Sequence, residues 1–416
     1  MLKRTLPIGA TTGKIATRIG VAALTRLAFN GADLGAIWND LLASVQGEPG
    51  NAAAVMDMSV VAQLMGNPKA GSELQDGALA IERLYRSPPT SEHPRLRLLV
   101  LAGATDIGGN IPVEFLTANS DIDVVTLYIV PGAPLPAPLP DHDIALVALG
   151  NSDHMIETLE EMEDIVPAWP RQVLNDPSRI FSLERDRFYT AMQDIPGVVI
   201  PKTVRISRPT LEGLARGHHA LKTLLSDAEF PIIVRPVNSH AGHGLEKVDD
   251  ASGIETYLAQ NPEQEFFISR FVDYSSEGDL FRKYRVVFID GRAFACHMAI
   301  AHEWKVWYLN ADMGANPGKR AEEALFMQTF DETFALRHDA AFKEITARIG
   351  LDYFGIDCAE TKDGKLLLFE GETAMIVHDM DPAEIYPYKV PQMRKLFSAF
   401  VDMLYRRAKA GQAEAA

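Results

Sequence analysis

At 416 residues the chain exceeds one small core, and two or three domains are expected. Its 47% hydrophobic and 23% charged content are those of an ordinary soluble globular protein. The formal net charge of −16 argues against nucleic acid or an anionic membrane as main partner, since counterion release needs a basic face. A small anion held by a few arginines stays compatible with it. The two cysteines, Cys296 and Cys358, suggest neither a disulfide framework nor a thiolate metal site, and a cytoplasmic setting is expected. No run reaches the roughly 20 apolar residues of a membrane span.

The N-terminal stretch, Met1-Leu2-Lys3-Arg4 and then Lys14, Arg18 and Arg26, is basic and free of acids until Asp33. Its apolar run from Gly20 to Leu24 is short, so it reads as a mature basic segment rather than a cleaved signal. Residues 33–86 read as helices. Leu34, Ile37, Trp38, Leu41 and Leu42 recur at helical spacing, as do Val55, Met58, Val61, Leu64 and Met65. Gly66-Asn67-Pro68 separates the latter from a third periodic segment, 74–84. The run from Asn51 to Ile81 resembles one tetratricopeptide-like helix–turn–helix unit. One unit cannot stack into a solenoid, so a helical cap on the next domain is expected over a peptide-binding array.

Ser87-Pro88-Pro89-Thr90-Ser91 is a linker candidate, and strand–helix alternation follows. Residues 97–102, 124–130 and 144–149 are apolar runs of buried-strand type, with a helix from about Pro112, which predicts a small open α/β domain. The turn from Gly103 to Gly109 lacks the dinucleotide G-x-G-x-x-G spacing. It reads as a tight strand-to-helix turn, with amides touching a substrate anion as the alternative. Residues 173–177 close this domain, and 409–416 read as a frayed tail.

Further on, Phe230-Pro231-Ile232-Ile233-Val234-Arg235-Pro236 is a short strand ending in a cation, followed by His240-Ala241-Gly242-His243-Gly244. Glycines there let amides converge on an anion and permit motion; a hairpin turn beside an exposed arginine is the alternative. Residues 265–272 form another apolar strand. In the hairpin from Lys283 to Arg292, turning at Asp290-Gly291, Arg285 points away from the face of Val286 and Phe288, toward a cleft or solvent.

Residues 353–359 and 365–372 read as paired strands turning at Lys362-Asp363-Gly364. Glu370 and Glu372 share one face, and Asp357 falls where the partner strand can oppose them. Three converging acids would repel severely without a cation, which favours a metal site over acids pointing to solvent. Hard oxygen ligands are what Mg²⁺ on a nucleotide polyphosphate requires. Between these motifs His297, His302, Trp304, Trp307, Tyr308 and Asn310 crowd one segment of a chain with 4 tryptophans. They suit an acceptor pocket or a strand packing aromatics into the core, and His378, Asp379 and Asp381 are further candidates for that pocket.

In this order the motifs of residues 97–405 resemble the ATP-grasp superfamily of carboxylate–amine ligases, nearest to its glutathione-synthetase-like and ribosomal-protein glutamate-ligase-like branch. Glu184-Arg185-Asp186-Arg187 with Ile200-Pro201-Lys202-Thr203 look like the family's entry motif. Ile233 to Pro236 look like its phosphate-binding strand, and residues 240–244 like its mobile lid. Ser269-Arg270-Phe271-Val272 look like its adenine hinge. Arg285 looks like its phosphate-contacting arginine, and Asp357, Glu370 and Glu372 like its magnesium triad.

The resemblance implies an α/β fold with a helical region over 1–90, a pre-ATP-grasp domain over 95–180, and ATP-grasp lobes over 181–272 and 273–408. It implies ATP bound by Arg187, Arg235, His240, Gly242, Gly244, Arg270, Phe271 and Val272, with Mg²⁺ (Mn²⁺ as the alternative ion) on Asp357, Glu370 and Glu372. Arg285 would be catalytic, and His297, His302, Trp304 and Asn310 would meet substrate. The implied substrates are a small-molecule or peptide carboxylate and an amine, joined through an acyl phosphate. A homodimer is the family-based expectation. Arg187 and Arg235 stand where lysines are usual, and Glu372 stands where asparagine is. The arginine- and asparagine-rich substrate motif of the ribosomal-protein ligase is absent. A kinase-like phosphotransferase or a weakly active ATP-binding scaffold is the alternative on the same frame.

Overall fold

The computed structural model describes residues 13–88, 91–239, 242–307 and 310–415. Met1 to Arg4, the linker residues Pro89 and Thr90, and His240, Ala241, Tyr308 and Leu309 lie outside the described residues. The fold is mixed α/β with three sheets, and the chain divides into two units.

The first unit runs to Ile180 and adds Leu351–Phe354 and the chain from Thr373. Its six-stranded sheet has the order Ala16–Thr17, Leu84–Arg86, Ile122–Tyr128, Leu96–Ala102, Ile144–Val147, Val173–Leu174. Leu96–Ala102 is parallel to both Ile122–Tyr128 and Ile144–Val147. The latter two are buried throughout, hence their continuous rather than alternating apolar runs.

Helices Val21–Phe29, Leu34–Gly47, Ala52–Leu64 and Pro68–Ile81 come before most of this sheet. Asp33, Asn51 and Asn67 cap the last three by accepting from first-turn amides. The third periodic segment therefore begins before Leu74, with Asn67 as cap and Pro68 at the first helical position. It ends at Ile81, and Leu84–Arg86 is a strand. Because Ala16–Thr17 and Leu84–Arg86 pair into the sheet on either side of the helices, the expected separate region over 1–90 is part of the α/β unit. Arg18 reinforces this by donating to Glu114 at 2.8 Å, while Asp57 accepts from the Ile19 and Gly20 amides.

Three amides of the Gly103 turn are held by acceptors of the protein itself. Gly103 N donates to Asn110 Oδ1 at 3.0 Å, Ile107 N to Gln63 Oε1 at 2.9 Å, and Gly109 N to Asp106 O at 3.1 Å.

The last helix, Lys389–Ala415, belongs to this unit and buries Met393, Leu396, Phe400, Met403 and Leu404. Phe400 meets Tyr353 edge-on at 5.4 Å. Two expectations are corrected here. Residues 373–408 do not join the lobe assigned to 273–408, because that apolar face packs in the first unit. Residues 409–415 continue the helix instead of fraying, with Gly411 so close to Gln172 that an added Cβ would lie 3.2 Å from it.

One histidine of this unit is biased toward its neutral form. His142 Nε2 accepts from Trp169 Nε1 at 2.9 Å, and its Nδ1 lies 2.7 Å from Pro140 O. Burial lowers its pKa below the ordinary imidazole value. The neutral form is thus favoured on folding, so the stability is intact above about pH 6.5 and falls as pH drops through the lower folded value. Trp169 fluorescence should change over the same interval. A His142→Gln variant with the wild-type acid profile would contradict this.

The second unit comprises Phe181–Gly350 and Gly355–Glu372 and holds two sheets. The four-stranded antiparallel sheet has the order Glu246–Val248, Ile232–Pro236, Glu265–Arg270, Thr203–Ser207. Helices Arg208–Ala215 and Ala251–Gln260 share its core of Leu211, Ile254, Val234, Phe266 and Ile268. By strand alternation Arg235, Phe267 and Arg205, which are in register, occupy the opposite face.

The five-stranded sheet has the order Arg292–Ala301, Phe281–Ile289, Tyr353–Glu360, Leu366–Glu372, Val198–Val199. Tyr284 and Phe288 pack against Phe326, Phe334 and Phe342 of the helical side. Phe281, Lys283 and Arg285 therefore share the other face. Val198–Val199, expected within the first lobe, pairs in parallel with Leu366 and Leu367 and closes the edge of this second sheet.

Candidate active site

Strand register assembles a charged cluster on the five-stranded sheet. Asp357 stands directly opposite Glu370. Its carboxylate is 1% exposed and accepts a two-pronged contact from Arg285, Nε to Oδ1 at 2.8 Å and Nη2 to Oδ2 at 3.0 Å. Lys283 Nζ adds a third contact to Oδ2 at 2.9 Å. His297 pairs in register with Arg285 and adds to the field on Asp357. Arg185, at the start of helix Arg185–Met192, donates to Glu370 Oε2.

Burial alone would raise the Asp357 pKa. The charges of Arg285 and Lys283 outweigh it and hold the carboxyl well below the usual carboxylate range. Burial likewise opposes the Arg285 charge, and Asp357 reverses that, raising it. For Glu370, burial and Asp357 push upward, but Arg185, Arg235 and Lys283 prevail and lower it.

Arg235 completes the cluster from the four-stranded sheet. Its guanidinium donates to the Ser239 carbonyl and hydroxyl, around a turn that Asn238 makes with a φ of 60°. Burial, and then the Arg185 charge, push its pKa below the usual guanidinium range. A guanidinium nevertheless stays protonated, so Arg235 and Arg185 act on each other as like charges. Among the described residues Arg235 has no carboxylate partner within salt-bridge distance.

Beside the charges lies an apolar nest. Tyr274, Ala359 and Leu367 are buried in it, with Val199, Val272, Phe281 and Phe369 partly buried against them. Phe369 and Glu370 sit at a bulge, since Asp357 pairs with Glu370 and Cys358 with Leu368. The bulge brings an apolar and an acidic side chain into the same neighbourhood.

The expected site residues distribute unevenly. Arg235, Arg285, Asp357, Glu370 and His297 are brought together, and Val272 lies in the apolar nest. Phe271 meets the Trp304 ring edge-on at 5.8 Å and has Lys247 Nζ over it at 5.1 Å. Arg270 pairs with Asp227 at 3.0 Å. His240 lies outside the described residues.

Gly242 and Gly244 have φ of 74° and 62°. Tyr257 Oη donates to the Gly244 carbonyl at 2.8 Å. An added Cβ at Gly244 would come 2.6 Å from Pro236 Cδ and 2.9 Å from Asn261 Oδ1, whereas at Gly242 it would meet only Lys305 Cε, at 3.3 Å. Gly244→Ala should therefore lose more stability in urea unfolding than Gly242→Ala, whose cost is about 1–2 kcal/mol of left-handed backbone. Equal losses would contradict the crowding at Gly244.

Three expectations are not met in this geometry. Arg187 is exposed, stacked near the Phe181 ring at 6.0 Å, while Arg185 reaches Glu370. Two residues on a helix differ by about 200°, so only one of the pair can face the cluster. Glu372 pairs with Gly355, about 7 Å along the strand from the Asp357–Glu370 pair. Accordingly no three His, Cys, Asp or Glu side chains gather as a metal-holding group among the described residues.

The third concerns the substrate residues. His302 is exposed, and Asn310 serves a turn, its side chain bonding the Lys305 carbonyl and Trp307 amide. Asp379 and Asp381 pair with Arg26 and Lys389 within the first unit, where His378 also lies. Lys283 and Arg185 were missed as site residues. Lys283 shares the strand face of Arg285 two residues away, a signal available from alternation alone.

No family model matches the sequence, and no curated protein matches it. Solved structures to which it is similar include a RimK domain ATP-grasp protein of Sphaerobacter thermophilus, at TM-score 0.43 and 14% identity over 74% of this chain and 99% of that one. D-alanine–D-alanine ligase of Bacillus anthracis complexed with ATP is similar at TM-score 0.46 and 14% identity over 77% of this chain and 100% of that one. At such scores and identities these likenesses assign neither a family nor an activity. No helix among the described residues is long and apolar enough to cross a membrane.

Proposed function

We propose that the chain is an ATP-dependent ligase of the ATP-grasp type, which joins a small-molecule or peptide carboxylate to an amine. One observation carries this reading: Arg235 lies in the field of Arg185 and makes no carboxylate contact within salt-bridge distance among the described residues, in a protein of net charge −16. Around them Arg185, Arg235, Lys283 and Arg285 outnumber the carboxylates Glu184, Asp357 and Glu370. An excess of fixed cations beside an apolar nest suits a polyphosphate carrying a flat base.

The donor set fits a hard cation in part. Mg²⁺ bound with a nucleotide typically takes one or two carboxylates and completes its shell with phosphate and water, and Asp357 and Glu370 supply that number. They would hold the ion, which when bound supplies charge neutralisation at the transferring phosphate. Arg185 and Arg235 would bind the nonreacting phosphates, and Arg285 would face the charge that develops during transfer. Val272, Phe281 and Phe369 would take the base. The lid around Gly242 and Gly244 would keep water out.

In the reaction proposed, a substrate carboxylate oxygen bonds to the γ-phosphorus and ADP leaves. The amine nitrogen then bonds to the acyl carbon, loses a proton, and inorganic phosphate leaves. Positioning and charge neutralisation account for most of such catalysis. The test is an ADP-release screen over pairs of carboxylates and amines, with ¹⁸O placed in the carboxylate. Label appearing in released phosphate supports the ligase. A stable phosphorylated product without it makes the protein a phosphotransferase.

A further inference from the structure

Lys283 is the one member of the cluster that phosphate binding does not call for. It projects from the same strand face as Arg285 and stands opposite Ala299. Its ammonium lies 2.9 Å from Asp357 Oδ2. Asp357 does not need it as a partner, because Arg285 already satisfies both oxygens.

The lone pairs limit what else can bind. A carboxylate offers roughly four acceptor positions, and Arg285 with Lys283 takes at least three of those on Asp357. Glu370 Oε2 accepts from Arg185. The third carboxylate, Glu372, stands further along the strand, opposite Gly355. With Lys283 occupying an acceptor position of Asp357, the pair has room to share one divalent ion and none to start a second; without the ammonium that position opens.

Resting on the nucleotide reading above, we propose that Lys283 is a built-in cation in the position of a second divalent ion, so that this site works with one metal ion per nucleotide. The ammonium supplies one fixed positive charge to the facing carboxylates, and it cannot be removed by chelators.

The experiment counts Mn²⁺ bound per chain by electron paramagnetic resonance, with β,γ-methylene-ATP saturating, for wild type, Lys283→Gln and Lys283→Arg. One ion in wild type, two in Lys283→Gln and one in Lys283→Arg is the expected result. Two ions in wild type overturn the inference while leaving the nucleotide site intact. One ion in a folded Lys283→Gln variant, checked by circular dichroism, also overturns it, since the charge would then exclude nothing. No bound ion in wild type, or no binding of the analogue, removes the nucleotide reading on which the inference depends. The wild-type count decides between one ion and two even where a variant does not fold.

Discussion

Arg285→Ala should destabilise the second unit by about 3–5 kcal/mol and lower turnover by roughly 10²–10³-fold. The stability loss follows from Asp357, whose carboxylate is 1% exposed and would keep only Lys283 as an ionic partner. Removing one member of a buried pair leaves a desolvated charge, which costs more than the pair itself contributes. Urea unfolding monitored on the second unit measures the first effect, and ADP release measures the second. Arg285→Lys should recover part of the stability, because it keeps the charge and loses the two-pronged geometry. An unchanged midpoint for Arg285→Ala would mean that Asp357 is held by other groups.

Glu370→Gln should abolish ATP turnover, by at least about 10²-fold, while leaving the fold in place. The side chain is 30% exposed, so the amide meets no severe desolvation. Its effect on nucleotide affinity should go the other way. Arg185 loses its acidic partner and Arg235 loses the nearest compensating charge, so metal-free ATP should bind at least as tightly as in wild type. Full turnover under defined Mg²⁺ would remove Glu370 from the site. A weaker metal-free affinity would remove the arginine pair as its phosphate-binding half.

Much of this cluster was legible because strands alternate. Arg285 opposite the face of Val286 and Phe288 follows from period two, and a short hairpin turn brings Asp357 near Glu370, although only the bulge sets the two directly across from each other. Lys283 was equally legible and was passed over, since a lysine near a strand start draws no attention without its neighbours. The exchange of Arg187 for Arg185 could not be read. It depends on where the helix starts relative to the sheet, and two charged residues at a helix start fit either rotation. The place of Glu372 was hidden for another reason. The irregularity between Asp357 and Cys358 changes the pairing, and a bulge carries no reliable sequence mark. The last helix was visible as an amphipathic run, but periodicity names a buried face and not the partner that buries it.

That helix has a consequence during synthesis. The sheet of the first unit is complete at Leu174, yet the apolar side of Lys389–Ala415 and the pair Tyr353–Phe400 come from far later in the chain. A ribosome adding about 5–20 residues per second must make the whole second unit before that helix emerges. For some 10–40 s the nascent first unit would carry an uncovered apolar surface, while the second unit can already close. Chaperone capture should concentrate in this interval, and removing Lys389 onward should yield an aggregating chain whose second unit is still folded.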